Sequence, residues 1–371
     1  MSRKLLSYTA LGLILGNTAF ADVPKVAVDI APVHSLVSRV MEGVGTPELV
    51  IPAGASPHGY SLRPSEAKAL QDADMVIWMG EDLAPWMENS IETLSKNADV
   101  ITLLEESETK LLDFREGALF EEHDHGDHDD HDDHDDHDDH DHDKDHDDHD
   151  DHDDHDDHDK DHDDHDDHDD HDKDHDDHDH DKDHDDHDDH DDHGDHDEHA
   201  HGEHDPHAWL SIENAQTWLN LVAGKLSAAD PENAGIYFAN AAEARAEIDA
   251  LAKEVNSILE PVRGRNFVVF HDAYQYFETS FDFPAAGAIS LGDASDPSAA
   301  RIAEIQDRVK DEGINCVLSE PQYNPNLVAT VLSGTDAKTG VIDPLGASLE
   351  PGSNLYGDLI RNMAKSLAGC L

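Results

Sequence analysis

The chain has 371 residues, of which 88 are acidic, 24 basic and 32 histidine, giving a formal charge of −64 at neutral pH. Without residues 1–21 and 123–204 the remaining 268 residues still hold 18 basic and 42 acidic groups, −24, which argues against nucleic acid or an anionic membrane surface as a partner, since both need a basic face, and suits cations. The acidity is concentrated: residues 123–204 consist of 28 His, 44 Asp, 2 Glu, 4 Lys, 3 Gly and 1 Ala and carry −42, whereas the other 289 residues are about 47% hydrophobic, an ordinary globular value.

Residues 1–21 place Arg3 and Lys4 before an apolar run and end in Ala19-Phe20-Ala21, a small-x-small pattern. This is expected to be a secretory signal peptide cleaved after Ala21, too short and too weakly apolar for a stable span. With no later stretch of about 18 apolar residues, the mature protein is expected to be soluble and exported.

Beyond the leader the periodicity alternates. Strands are predicted at 25–30, 48–51, 74–79 and 100–103, and helices at 33–41, 64–71, 86–94 and 209–226. Short apolar strands separated by helical stretches imply parallel βαβ units. Residues 231–259 differ: a Pro231-led segment rich in Ala and Glu, with apolar residues near helical spacing and a stop at Pro261 and Gly264. The spacing predicts a single helix of about 28 residues, roughly 40 Å long. Alternation then restarts, with strands at 267–270, 285–289, 315–318 and 341–342 and helices at 273–278, 297–311, 325–332 and 352–368. The expected domains are the signal peptide 1–21, an N-terminal lobe 22–230, a linking helix 231–260 and a C-terminal lobe 261–371. The fold class is α/β, two lobes with parallel sheets joined by one rigid helix.

GxGxxG, GxxxxGK[ST], GxSxG and HExxH patterns are all absent. An HxHxDH match at residues 123–128 falls in a tract made almost wholly of His and Asp, where such matches are cheap. More telling are three of the four histidines outside the tract. His58, His207 and His271 each stand at a strand–helix junction, where two βα lobes place their ligands. Three imidazoles converging in a cleft form a zinc-competent set, with Asp, Glu or water as the fourth ligand. Asp343 follows a predicted strand in the same way. His34 lies within a predicted helix and reads as structural. The even pair Cys316 and Cys370 is most simply a disulfide in an exported chain, with two free buried thiols as the alternative.

These residues carry a resemblance. Gly54-Ala55-Ser56-Pro57-His58, Tyr60-Ser61-Leu62-Arg63-Pro64-Ser65, Asp205-Pro206-His207-Ala208-Trp209-Leu210, Phe270-His271-Asp272-Ala273-Tyr274, Ser319-Glu320-Pro321-Gln322 and Asp343-Pro344-Leu345-Gly346 stand in an order and spacing that resemble the ZnuA-type zinc receptors of ABC importers. The resemblance runs from residue 25 to 371, the tract excepted. It implies two βα lobes with metal between them, ligand roles for His58, His207 and His271, a His-rich loop where the tract occurs, and a Cys316–Cys370 disulfide. Manganese-binding relatives typically carry a carboxylate where His271 stands and a ligating Asp where Asp343 stands. An imidazole at the third position favours zinc over manganese, which prefers harder oxygen ligands. Some zinc members have an acidic residue before the first ligand, where this chain has Pro57, so the fourth ligand stays open between Asp343 and water.

The tract, largely a DDH repeat, has no apolar residue beyond Ala200 to offset the entropy of ordering, and it is expected to be a disordered loop without metal. Its histidines, among them His123, His125, His128, His199, His201 and His204, are expected to collect zinc at many weak sites and hand ions to the cleft. The expected function is therefore a periplasmic, monomeric, non-enzymatic receptor that delivers Zn²⁺ to a membrane permease. The competing readings are a metal storage or buffering protein, a receptor for manganese or another divalent metal, and a zinc hydrolase, for which no general base is evident.

Overall fold

The computed structural model describes residues 23–115, 120, 204–290, 298–323 and 325–371. The expected signal peptide and nearly all of the tract, including His123, His125, His128, His199 and His201, lie outside the described residues. No helix among the described residues is long and apolar enough to cross a membrane.

Two parallel four-stranded sheets form the frame. The first comprises β1 (Val26–Val28), β2 (Glu48–Leu49), β3 (Met75–Trp78) and β4 (Asp99–Thr102), in the order β2-β1-β3-β4. The second comprises β5 (Phe267–His271), β6 (Gly287–Ser290), β7 (Cys316–Ser319) and β8 (Lys338–Val341), in the matching order β6-β5-β7-β8. Central strands such as β3 and β5 are buried along their whole length, as parallel strands covered on both faces must be. The outer strands β4 and β8 carry exposed residues. That is why the apolar pattern places the last strand at 341–342, whereas it spans Lys338–Val341: an edge strand pairs on one side only and needs no continuous apolar run.

The helices are α1 (Ala31–Val40), α2 (Pro64–Asp72), α3 (Pro85–Leu94), α4 (Ile212–Ala229), α5 (Ala234–Leu259), α6 (Gln275–Phe281), α7 (Ala299–Asp311), α8 (Pro325–Val331) and α9 (Leu355–Cys370). Proline in the first turn of α1, α2 and α3 sits where a backbone N–H would lack a helical partner. One expected helix is divided. A 3-10 turn covers Ala208–Leu210, and α4 begins only at Ile212, because the Ser211 hydroxyl accepts the N–H of Asn214 at 3.2 Å and caps a new start. The break leaves His207 on a turn rather than on the barrel of a helix.

The linking helix α5 has 26 residues, about 39 Å at 1.5 Å per residue. It buries Tyr237, Ala241, Ala244, Ile248, Leu251, Val255 and Leu259, a stripe at steps of three or four. It starts later than expected because Asp230 first closes a turn, accepting from the Asn233 amide at 2.7 Å and the Tyr237 hydroxyl at 2.8 Å.

One continuous core joins the first sheet, α1, α4, α5, α9 and one face of the second sheet. A separate cluster of Val268, Phe270, Ile289, Ile305, Val309 and Val317 fills the other face of the second sheet. The alternation along β5 decides the split: Phe267 and Val269 face the shared core, and Val268 and Phe270 face away. The Cys316–Cys370 disulfide, with Cα atoms 5.7 Å apart, ties the start of β7 to the end of α9. Gly340 of β8 makes room for it, since a Cβ there would lie 2.9 Å from Leu318 Cδ2 and 3.1 Å from Cys370 Cβ.

Candidate metal centre

In open parallel sheets, ligands bind beyond the carboxyl ends of the strands where the strand order reverses. In the second sheet that point lies between β5 and β7. His271 is the last residue of β5, and Glu320 directly follows β7. His207 reaches the same place from the turn before α4. His58 comes from the loop after β2, held by the Trp86 indole N–H donating to the Pro57 carbonyl at 2.7 Å. A second anchor for that loop is Glu66, which accepts the Tyr60 hydroxyl at 2.9 Å and the Arg63 N–H at 2.7 Å.

His58, His207 and His271 converge as the sequence suggests, with one potential ligand nitrogen of each within 4.8 Å of the others. Nε2 of His207 and Nε2 of His271 are 3.4 Å apart. Two nitrogens bound to one tetrahedral zinc at about 2.05 Å lie roughly 3.3 Å apart, so this pair is already at ligand spacing. His207 and His271 are buried, and His58 is partly exposed. The three rings line a cavity of about 20 Å³, with Ser56, Trp209, Glu320, Gln322 and Tyr323 among its other walls. That volume holds a single water-sized particle.

Two buried carboxylates set the imidazole tautomers. Asp205 Oδ1 accepts from the Nδ1 of His207 at 2.7 Å and from its backbone N–H at 2.9 Å. Glu320 Oε1 accepts from the Nδ1 of His271 at 2.5 Å. With a proton on each Nδ1, both Nε2 lone pairs point into the cavity, the carboxylate–histidine arrangement that orients metal ligands and raises their basicity. Neither carboxylate is given a role by sequence reasoning, although both stand in motifs it singles out. The signals were present: Asp two residues before a ligand His closes a local turn, and Glu at the end of β7 adjoins the strand that carries His271.

Asp343, one of the two candidates for the fourth ligand with water, is not in this cluster. Its Oδ1 accepts the backbone N–H groups of Leu345 at 3.2 Å and Gly346 at 2.9 Å, and so closes the turn after β8. His34 is structural as expected, buried in α1 with Nε2 3.0 Å from the Pro47 carbonyl, and burial pushes its pKa down. The one described member of the tract set, His204, pairs its Nδ1 with Asp113 Oδ1 at 2.9 Å in a short antiparallel bridge, so the last residue of the tract lies beside a residue ten positions before its start.

Sequence reasoning also misses Arg115, eight residues before the tract. Its guanidinium pairs with Asp272, beside His271, through Nε at 3.0 Å and a second contact from Nη2. It meets Glu278 of α6 at 2.7 and 3.1 Å. Burial raises the pKa of both carboxyls, opposed by the arginine charge. Arg115, eight residues before the tract, is thus fixed to the residue that follows His271.

Known proteins agree with this architecture. The family described as "Zinc-uptake complex component A periplasmic" matches residues 26–370. The High-affinity zinc uptake system protein ZnuA of Brucella abortus (strain 2308) is 43% identical over 356 residues, 96% of this chain and 94% of its own. Its namesake in Paracoccus denitrificans (strain Pd 1222) is 43% identical over 369 residues, 98% of each chain. Among solved structures, a crystal structure of ZnuA superposes with a TM-score of 0.63 at 18% identity, covering 94% of this chain and 99% of that one. The solute-binding protein FpvC from Pseudomonas aeruginosa in complex with Mn²⁺ does so with a TM-score of 0.63 at 17% identity, covering 94% and 97%. The chain belongs to the family of periplasmic zinc-uptake component A proteins.

Proposed function

We propose that the protein captures Zn²⁺ in the periplasm and delivers it to the membrane permease of an ABC importer, with the metal held by His58, His207 and His271 between two lobes. The observation that carries this reading is the 3.4 Å spacing of two carboxylate-oriented Nε2 atoms on a cavity the size of one ion. Three neutral imidazoles match zinc, and the buried carboxylates of Asp205 and Glu320 supply two negative charges behind them, offsetting the charge of the ion. The zinc uptake function of the 43%-identical relatives supports the same cargo. No covalent chemistry is needed. The site serves as a receptor, and the protein acts as a monomer on its permease.

In this reading residues 1–21 are the export signal, 22–230 and 261–371 are the lobes, 231–260 joins them, and the tract at 123–204 gathers zinc. Chelator-competition titration of a protein lacking residues 124–203 tests it. One tight zinc site is expected to remain, weakened at least a hundredfold by His58→Ala, His207→Ala or His271→Ala. Loss of all tight binding with the tract would instead identify a storage protein.

A further inference from the structure

Zinc in a protein site takes four ligands, and the three histidines leave one position open. The groups around the cavity narrow what can meet the fourth. Glu320 is committed to the Nδ1 of His271, and Asp205, behind the site, to the Nδ1 of His207. Asp343 lies outside the histidine cluster, and its Oδ1 closes the turn after β8. The Tyr323 ring stacks on Phe270, with centroids 4.5 Å apart. Gln322 differs from all of these. It lines the cavity with the three histidines, and both its Oε1 and its Nε2 are buried without any hydrogen-bond partner. A buried amide with two unpaired polar atoms is costly, and a bound water or ion beside it is one way to supply the missing partner.

We propose that Gln322 governs the fourth coordination position: its side-chain oxygen accepts a hydrogen bond from a water molecule bound to the zinc. The chemistry suits both partners. A zinc-bound water is a strengthened donor because the ion withdraws charge from its oxygen. An amide oxygen accepts that bond without adding a third negative charge to a site already backed by Asp205 and Glu320. A neutral amide here also bears on selectivity. A carboxylate at this position would offer the hard oxygen that manganese prefers, and the amide withholds it. An exchangeable water further gives a route for release, since the permease or a competing ligand displaces it before any histidine lets go.

This inference rests on the three-histidine zinc site, and the experiment keeps the two apart. Full-length protein is titrated with Zn²⁺ against a strong chelator, so that only the tight site is read, and with one equivalent of Co²⁺, whose visible spectrum reports coordination. The variants are Gln322→Met, close in shape but without the amide, Gln322→Glu, of nearly the same size, and His271→Ala as control. Gln322→Met is expected to weaken zinc about tenfold or more and to alter the Co²⁺ spectrum. Gln322→Glu is expected to change the spectrum as a carboxylate enters the coordination shell, and to raise Mn²⁺ affinity relative to Zn²⁺ at least tenfold. A wild-type spectrum in both variants overturns the proposal, including the case where affinity falls with the spectrum unchanged, which marks a purely structural role. Should Gln322→Met fail to fold, Gln322→Glu decides alone. If His271→Ala binds zinc as tightly as wild type, the histidine site itself is wrong. If His271→Ala loses binding while both Gln322 variants match wild type, only this inference falls.

Discussion

Glu320 holds the Nδ1 of His271 at 2.5 Å, and the opposite nitrogen of that ring lies 3.4 Å from the Nε2 of His207. The carboxylate therefore fixes both which nitrogen is protonated and where the free lone pair points. Replacing it with an amide keeps the shape but removes the charge and lets the ring turn. Glu320→Gln and Asp205→Asn are each expected to weaken zinc binding by about 10- to 100-fold, while the metal-free protein melts within a few degrees of wild type. Chelator competition and thermal melting check this together. Unchanged affinity in both variants would remove these carboxylates from the site.

The second prediction concerns Arg115, whose guanidinium pairs with the buried carboxylates of Asp272 and Glu278. Removing one partner of a buried ion network leaves the others uncompensated, at a cost of about 3–5 kcal/mol. Arg115→Met is expected to destabilise by that amount in urea. A triple variant that also carries Asp272→Leu and Glu278→Leu is expected to recover much of the loss, since no buried charge is then stranded. Equal stability of Arg115→Met and wild type would mean the network contributes nothing.

Stability is also expected to depend on Asp29, at the end of β1. Burial pushes this carboxyl up to about 7, against the N–H groups of Met79 and Ile30, each 2.7 Å from one of its oxygens. In the unfolded chain it titrates near 3.8. The folded pKa is the higher of the two, so its contribution is fully present below pH 4 and is lost as pH rises from about 4 to about 7, a swing on the order of 4 kcal/mol. Asp29→Asn cannot ionise. The stability of wild type relative to this variant is expected to fall across that window and to level off above it. Parallel melting profiles from pH 4 to 8 would refute the assignment.

The disulfide separates stability from binding. Cys316 and Cys370 enclose a loop with a sequence separation of 54, and opening a cross-link of that span costs roughly 4 kcal/mol on the chain-entropy account. Cys316 starts β7, whereas Glu320 follows its far end. The double variant Cys316→Ala with Cys370→Ala is therefore expected to unfold at lower denaturant concentration while keeping zinc affinity within about threefold. A large loss of affinity at low temperature would show that the bond positions the site.

Much of this was legible along the chain. The strand–helix alternation, the long helix and the three junction histidines depend on local patterns: short apolar runs, period 3.6, and histidines at strand–helix junctions. The boundaries that shifted did so for local reasons the periodicity ignores. Ser211 caps a new helix inside an apolar stretch, and β8 is an edge strand whose Lys338 and Thr339 face outward.

The sequence by itself determined the class of fold, the division between a globular body and a His/Asp tract, and the three imidazoles, because each is written in residue type and spacing. Only the tertiary structure decided how those imidazoles are oriented. Glu320 is 49 residues from His271, Asp343 is turned to the backbone that follows it, and Arg115 meets Asp272 across 157 positions. Nothing local connects Glu320 with His271 or Arg115 with Asp272. They meet because two parallel sheets direct the carboxyl ends of their central strands toward one cleft, and a side chain's role there depends on which neighbour has already taken its polar atoms.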